Sequence, residues 1–207
     1  MYFIGIYHKI NNNNAFKIFS YYDLVHIPYF SRGYAKDFIY LLSREFVKSH
    51  DTNEIFATMV HSHPKHNYKI NILTEDNKYF FIMITNLSYN TKLVRIILYE
   101  IACEFNSLLT QKLIPKYITS DTDIQHPNID NIITKYKNYD KLSKIKLDIE
   151  DLTDTMKDNI NKIVIREIKL QDLLTKTDGL SEQSLQFQKS ASKLNNCCNL
   201  NLLWFIK

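Results

Sequence analysis

Between Leu142 and Leu194, sixteen positions follow one another at alternating steps of three and four residues: Leu142, Ile145, Ile149, Leu152, Met156, Asn159, Ile163, Arg166, Leu170, Leu173, Thr177, Leu180, Ser184, Phe187, Ala191 and Leu194. Twelve of the sixteen are apolar, and the residues between them are mostly Lys, Asp, Glu, Gln, Ser and Asn, as a solvated outer face requires. An average spacing of 3.5 residues, kept over more than seven heptads, holds the apolar stripe on one face of a supercoiled helix. The spacing therefore predicts a long coiled-coil helix that closes against other helices.

One position in this seam is costly. Arg166 must be desolvated when the helices close, and a buried guanidinium left without partners costs about 3–5 kcal/mol. Its planar fork of N–H donors is matched to amide or carboxylate oxygens on facing helices. A single polar layer of this kind sets register and partner number more than it adds stability. The alternative is an arginine that reaches out to water along its aliphatic stem.

The run Asn159-Ile-Asn-Lys-Ile-Val-Ile-Arg166-Glu-Ile-Lys-Leu170-Gln-Asp-Leu173, followed by Thr177-Asp-Gly-Leu180, Phe187 and Ala191, resembles an R-SNARE motif with Arg166 as its central ionic layer. The following Lys193-Leu-Asn-Asn-Cys197-Cys198 resembles the end of one branch, the YKT-type synaptobrevin homologues, whose members finish in a lipidated double cysteine.

Size and composition leave room for a folded domain ahead of this helix. A chain of 207 residues accommodates one domain of about 100–150 residues plus an extension. Fourteen Tyr and twelve Phe are ample for a core, and only three Gly and four Pro argue against a disordered chain. A net charge of +4, with both signs interspersed, does not call for nucleic acid. Three cysteines, two of them adjacent, make a poor disulfide framework and point to a reducing compartment. Met1 to Tyr7 lacks the basic lead and cleavage site of a signal peptide, and no run of about 18 apolar residues offers a transmembrane helix. Membrane contact is expected from lipid or from a partner.

The first 110 residues read as α+β. Alternation over Tyr2–Tyr7 and a second apolar stretch over Phe16–Tyr21, joined by a polar Asn-rich turn, predict a hairpin. A helix is expected from Ser31, its N-cap, to His50, with Phe38, Leu41, Leu42, Phe46 and Val47 at helical spacing. Strands follow at about Ile55–His61, Tyr68–Leu73 and Tyr79–Thr85, with a turn at Glu75-Asp-Asn. A second helix runs from about Asn90 to Leu109, burying Leu93, Ile96, Ile97, Ile101, Phe105 and Leu108. The order predicts a five-stranded antiparallel sheet sandwiched by helices.

That order resembles the longin (profilin-like) domain, and the segments Tyr29-Phe-Ser-Arg-Gly33 and Ile84-Thr-Asn-Leu-Ser-Tyr89 resemble the starts of its two helices. The resemblance implies that Leu41 lies on the longin groove, where YKT-type proteins hold the SNARE helix or the lipid in a closed state; the other reading is an ordinary core leucine. Pro115, Pro127 and the polar run between them mark a linker, and Asn128 to Lys137 can form a short third helix. The expected organisation is a longin domain over 1–138, an R-SNARE motif over 139–198 and an apolar tail over 199–207.

A competing constellation is His61-Ser-His63-Pro64 with His66 nearby, which resembles the zinc-binding His-x-His-Pro of JAMM-type metallopeptidases. Such a site needs a third ligand and an open position for water. In that family a serine and an aspartate lie about ten and thirteen residues beyond the first histidine, where this chain has Asn71 and Thr74. No metal, no cofactor and no catalytic group is therefore expected.

The R-SNARE resemblance implies zippering with three glutamine-bearing helices (Qa, Qb and Qc) into a parallel bundle. It implies recycling by the SNARE disassembly machinery and autoinhibition and targeting by the longin domain. It also implies a place partly in the cytosol and partly on the cytosolic face of ER, Golgi and vesicle membranes, in ER–Golgi, Golgi and endosomal or vacuolar transport. A longin-bearing coiled-coil adaptor without fusion activity is the alternative. The family pattern assigns palmitate to Cys197 and an isoprenoid to Cys198. Nine residues, Asn199-Leu-Asn-Leu-Leu-Trp-Phe-Ile-Lys207, follow where prenyl transfer needs the cysteine fourth from the end. The tail is read as a product of an alternative or misread transcript, as an apolar plug for the longin groove, or as an interfacial segment beside a palmitoylated Cys197.

Overall fold

The structure is a computed structural model that describes residues 1–50, 54–63, 66–115, 118–137 and 164–167. Strands β1 (Phe3–Asn11) and β2 (Asn14–Tyr22) form the first hairpin, closed by Asn11, whose side-chain oxygen accepts from the amides of Asn13 and Asn14. Helix α1 (Arg32–Ser49) follows, then β3 (Phe56–His63), β4 (His66–Glu75) and β5 (Tyr79–Asn86). The β4–β5 turn places Asp76 and Asn77 at φ 51° and 55°, a left-handed pair that short polar side chains tolerate. Helix α2 (Thr91–Thr110) and helix α3 (Pro127–Lys137) complete the described domain.

The five strands are antiparallel, as the sequence predicts, and lie in the order β2-β1-β5-β4-β3. Both faces are buried, so the strands carry apolar residues on each side. In β1, Ile4 and Ile6 join the group under α2, while Phe3 and Tyr7 join the group under α1; in β5, Phe81 and Met83 face α2 while Phe80 and Ile82 face α1. Phe105 of α2 stands edge-on to Tyr79 and Phe81, with ring centroids 5.1 and 5.5 Å away. All six residues of the expected α2 stripe are buried.

The two long helices are capped differently. At α2, Asn90 accepts from the Lys92 amide at 2.9 Å. At α1, Ser31 holds the N-cap position but its side chain makes no capping bond. The turn of 3-10 helix over Tyr29–Ser31 leaves Ser31 with helical angles (φ −95°, ψ −8°), and an N-cap hydroxyl reaches the first turn only from an extended backbone. The far end of α1 is held instead by buried Lys9, whose Nζ donates to the carbonyls of Lys48 (2.9 Å) and His50 (3.0 Å). A cation there meets the negative end of the helix dipole.

Past α2 the chain returns along the outside of β2. Thr122 N donates to Lys17 O and Ile124 N to Ile18 O, each at 2.8 Å, while the Asp121 and Asp123 carboxylates accept from the amides of Lys17 and Ser20. Tyr40 donates to Asp121 and accepts from Arg44 at 2.8 Å, tying α1 to this linker. Helix α3 then packs on α2 through Ile129, Ile133 and Tyr136, with Lys135 3.2 Å from Glu100. Pro127 sits at its first position, where a missing N–H costs nothing.

A sixth strand departs from expectation. β6 (Val164–Glu167) lies inside the stretch predicted to be one continuous helix, and it adds to β3 in parallel. Ile163-Val-Ile165 is a run of β-branched residues, which favours extended backbone when no partner helix is present. The rest of the expected coiled coil lies outside the described residues.

Two outcomes follow from the packing. An added Cβ at Gly5 would lie 2.4 Å from Phe3 Cζ and 2.9 Å from Tyr7 Cε2, both in fully buried rings. Gly5→Ala is expected to lower stability by about 1–3 kcal/mol in urea unfolding. Burial pushes Tyr22 and Tyr40 up to about 12, with the Asp121 hydrogen bond adding at Tyr40. Their neutral forms are favoured in the folded state, so the unfolded chain ionises first and stability falls as pH rises from about 10 to 12. Tyr40→Phe should lower neutral-pH stability by about 1 kcal/mol and make that alkaline decline shallower.

Candidate partner-binding surface

A five-stranded open sheet has two edges, each a row of amides and carbonyls able to pair with another chain. The linker covers the β2 edge. The β3 edge is covered by β6, in the register Ala57↔Val164, Thr58↔Ile165, Met59↔Arg166 and Val60↔Glu167. The central arginine of the predicted seam therefore stands opposite Met59, within a backbone pairing.

β3 is firmly built. Ala57 and Met59 are buried in the α1 group, and on the other face the Thr58 hydroxyl donates to Asn71 Oδ1 at 3.0 Å. Asn71 is fully buried and its amide donates to Met83 O at 3.2 Å, carrying the tie across to β5. At the start of the strand, Arg95 of α2 lies 4.1 Å from the Phe56 ring centroid, and burial lowers its guanidinium to about 10. A rigid strand with fixed register is a good template for β-addition, in which main-chain bonds give affinity and flanking pockets give selectivity.

The sites expected from sequence fall as follows. Arg166 lies in β6. Leu41 is half-buried on α1 and belongs to neither buried group, whereas its neighbour Leu42 is in the core. Leu142, Ile145, Ile149, Leu152, Met156, Asn159, Ile163, Leu170, Leu173, Thr177, Leu180, Ser184, Phe187, Ala191, Leu194, Cys197 and Cys198 lie outside the described residues. The histidines expected in a loop lie instead on the β3–β4 hairpin, with His63 opposite His66. Asn71, at the place of the metallopeptidase serine, is committed to the core network, and Thr74 is buried. Among the described residues no group of His, Cys, Asp or Glu could hold a metal ion.

Two features escaped the sequence reading. Asp121 and Asp123, whose carboxylates face the amides of Lys17 and Ser20, were the available signal for edge cover. At the start of α1, Val25, Tyr29 and Phe30 stand in solvent, Phe30 at 90% exposure.

Residues 141–204 match the synaptobrevin family model. Over 96% of its length the chain is 25% identical to a putative synaptobrevin homolog YKT6 of Dictyostelium discoideum, covering 98% of that protein. It is 24% identical to the synaptobrevin homolog YKT6 of Debaryomyces hansenii over 96% of this chain and 98% of the relative. To the synaptobrevin homolog ykt6 of Schizosaccharomyces pombe it is 27% identical over 64% of this chain and 67% of the relative. These matches support a YKT-type R-SNARE. The predicted fold class stands with it: a longin-type domain of five antiparallel strands and packed helices, with a synaptobrevin domain behind it. An R-SNARE of this type serves vesicle traffic, and the synaptobrevin homologues are not an enzyme family. Among the described residues no helix is long and apolar enough to cross a membrane.

The register is open to a direct check. In a background with Cys103, Cys197 and Cys198 changed to Ser, Met59→Cys with Arg166→Cys should oxidise to an intramolecular disulfide, since directly paired strand positions lie within disulfide reach. Phe56→Cys with Arg166→Cys, three residues out of register, should remain reduced; equal oxidation of both pairs would contradict the pairing.

Proposed function

We propose that this R-SNARE drives fusion of transport vesicles by zippering Leu142–Leu194 with three glutamine-bearing helices, and that its N-terminal domain restrains it by holding Val164–Glu167 as β6. The observation that carries the reading is the pairing of Met59 with Arg166. A backbone in β6 is extended, and a backbone in the bundle is helical, so Arg166 cannot serve as ionic layer while it is in the sheet. Restraint and assembly are thus alternatives for one short segment, which lies inside the SNARE motif of 139–198 that follows the domain of 1–138.

Magnitudes favour a reversible restraint. Four paired residues contribute on the order of 2–4 kcal/mol of net backbone hydrogen bonding. Twelve apolar seam positions, at roughly 1.5–3 kcal/mol each when buried, offer a gross gain of tens of kcal/mol against the ordering entropy of the helix. Partner helices can therefore displace the strand. Leu41, half-buried on the shoulder of α1, is the groove residue available to the returning segment. Lipid on Cys197, with or without an isoprenoid on Cys198, would anchor the C-terminal end of the zipper, and the disassembly machinery would return the chain to its restrained form. ER–Golgi, Golgi and endosomal or vacuolar membranes are the proposed sites of action.

Two experiments test this. The oxidised Met59→Cys/Arg166→Cys protein should fail to assemble with its Q-SNARE partners and recover on reduction; unimpaired assembly of the oxidised form would refute the restraint. Arg166→Leu should still form helical complexes but lose register or partner choice. If this variant fused liposomes at the unmodified rate, the ionic-layer role would be wrong.

A further inference from the structure

The end of the sheet at which β2 finishes carries an apolar tip on a braced loop. Leu24 and Ile27 are buried in the α1 group and fix the loop from below. Arg32 Nε donates to Ile27 O at 3.0 Å, its Nη2 donates to Val25 O at 3.4 Å, and Ser31 N donates to Pro28 O at 2.9 Å. On this frame Val25, Tyr29 and Phe30 are 68%, 76% and 90% exposed. A ring exposed to that degree is not held in a groove, and a Cβ added at nearby Gly33 would meet nothing within 4 Å. The tip is therefore convex. It offers no pocket to a peptide side chain, whereas a deformable apolar medium accepts it without one.

The same end is cationic. Tyr22 pairs with Phe3, which pairs with Ile84; Asn86 pairs with Tyr68, and Tyr68 with His61, so these residues lie together across the sheet. Helix α1 begins where the loop ends, and α2 begins at Thr91, shortly after Asn86. Both positive dipole ends therefore lie at this end of the domain. From Leu24 to Lys36 the chain has Arg32, Lys36 and no acidic residue. Lys36 Nζ lies 5.5 Å from the Tyr22 ring centroid, and Lys92, in the first turn of α2, is exposed. The last residue of α3, Lys137, donates to Tyr21 Oη at 3.1 Å. Two acids bracket the loop. Asp23 is 12% exposed and is engaged by Lys137 at 3.5 Å, while Asp37 is exposed more than a turn into α1. The paired residues of β3 and β4 at this end, His61, Ser62, His63, His66 and Asn67, include no acid.

We propose that this end of the N-terminal domain docks directly on an anionic lipid bilayer: Val25, Tyr29 and Phe30 enter the boundary between headgroups and acyl chains, with Arg32, Lys36, Lys92 and Lys137 against the headgroup anions. Aromatic side chains are favoured at that depth, and flanking cations gain from the negative surface potential. The brace contributes as well, since a loop ordered beforehand loses little freedom on insertion. The face belongs to the N-terminal domain alone and depends neither on β6 nor on lipid at Cys197 or Cys198. It supplies the second of the two signals that stable attachment through a single acyl chain requires.

Trp204 is the only tryptophan of the chain, so Phe30→Trp in a Trp204→Phe background places the sole indole at the tip. In the full-length, unlipidated protein its emission should match that of free tryptophan in buffer. It should shift to the blue on adding phosphatidylcholine–phosphatidylserine vesicles and be quenched when the acyl chains carry bromine. Phe30→Asp, at an exposed position that the fold does not need, should weaken co-sedimentation with these vesicles roughly tenfold or more. Lys36→Glu with Lys92→Glu should weaken it about fivefold or more per charge, with circular dichroism unchanged. Emission already blue in buffer, at any protein concentration, would mean that this chain or a second copy covers the tip, and would overturn the proposal. Co-sedimentation without a change at the tip would assign binding to another surface and overturn it too. Equal binding to phosphatidylcholine alone, or no blue shift at any vesicle concentration, would do the same.

Discussion

A sheet edge must pair its amides and carbonyls or leave them to water, and the organisation of this protein turns on that requirement at β3. The opposite edge is closed by the linker through main-chain bonds and two aspartates. β3 takes its partner from the middle of the SNARE motif, four residues that include Arg166. The same residues satisfy two incompatible geometries, parallel strand and coiled-coil seam. On the proposed reading that incompatibility is the control.

The rest of the domain keeps β3 in condition to act as a template. Burial of both faces fixes the register of the sheet, because a slip by one residue would exchange the two apolar groups. Buried Asn71 joins β3 to β5, and Lys9 holds the end of α1 against the sheet. On the proposed reading, the equilibrium between the two uses of 164–167 depends on the strand and its competitors. On that reading a restraint of a few kcal/mol is strong enough to suppress premature pairing and weak enough to yield to a bundle.

Much of the fold is legible in the sequence. Strand alternation and the helical stripes of α1 and α2 locate their elements to within a few residues, because each element meets the core on a regular period. Ser31 takes the expected N-cap position without a capping bond, since a residue type cannot reveal that a preceding 3-10 turn sets its backbone angles. The histidines of the β3–β4 connection read as a loop because Pro64 interrupts the pattern, yet pairing extends to His63 and His66. The strand at Val164–Glu167 was hidden for a deeper reason. A heptad pattern describes the assembled state, whereas the chain alone has no partner helix, and its β-branched residues then follow the nearest open edge.

Hydrogen–deuterium exchange on the full-length chain, alone and mixed with its Q-SNARE partners, tests the central claim most directly. The amides of Ala57–Val60 and Val164–Glu167 should be protected together in the chain alone. In the complex, 164–167 should remain protected as part of a helix, while the outward-facing amides of β3 lose protection. Exchange at β3 that is the same in both samples, or fast in the chain alone, would contradict the account.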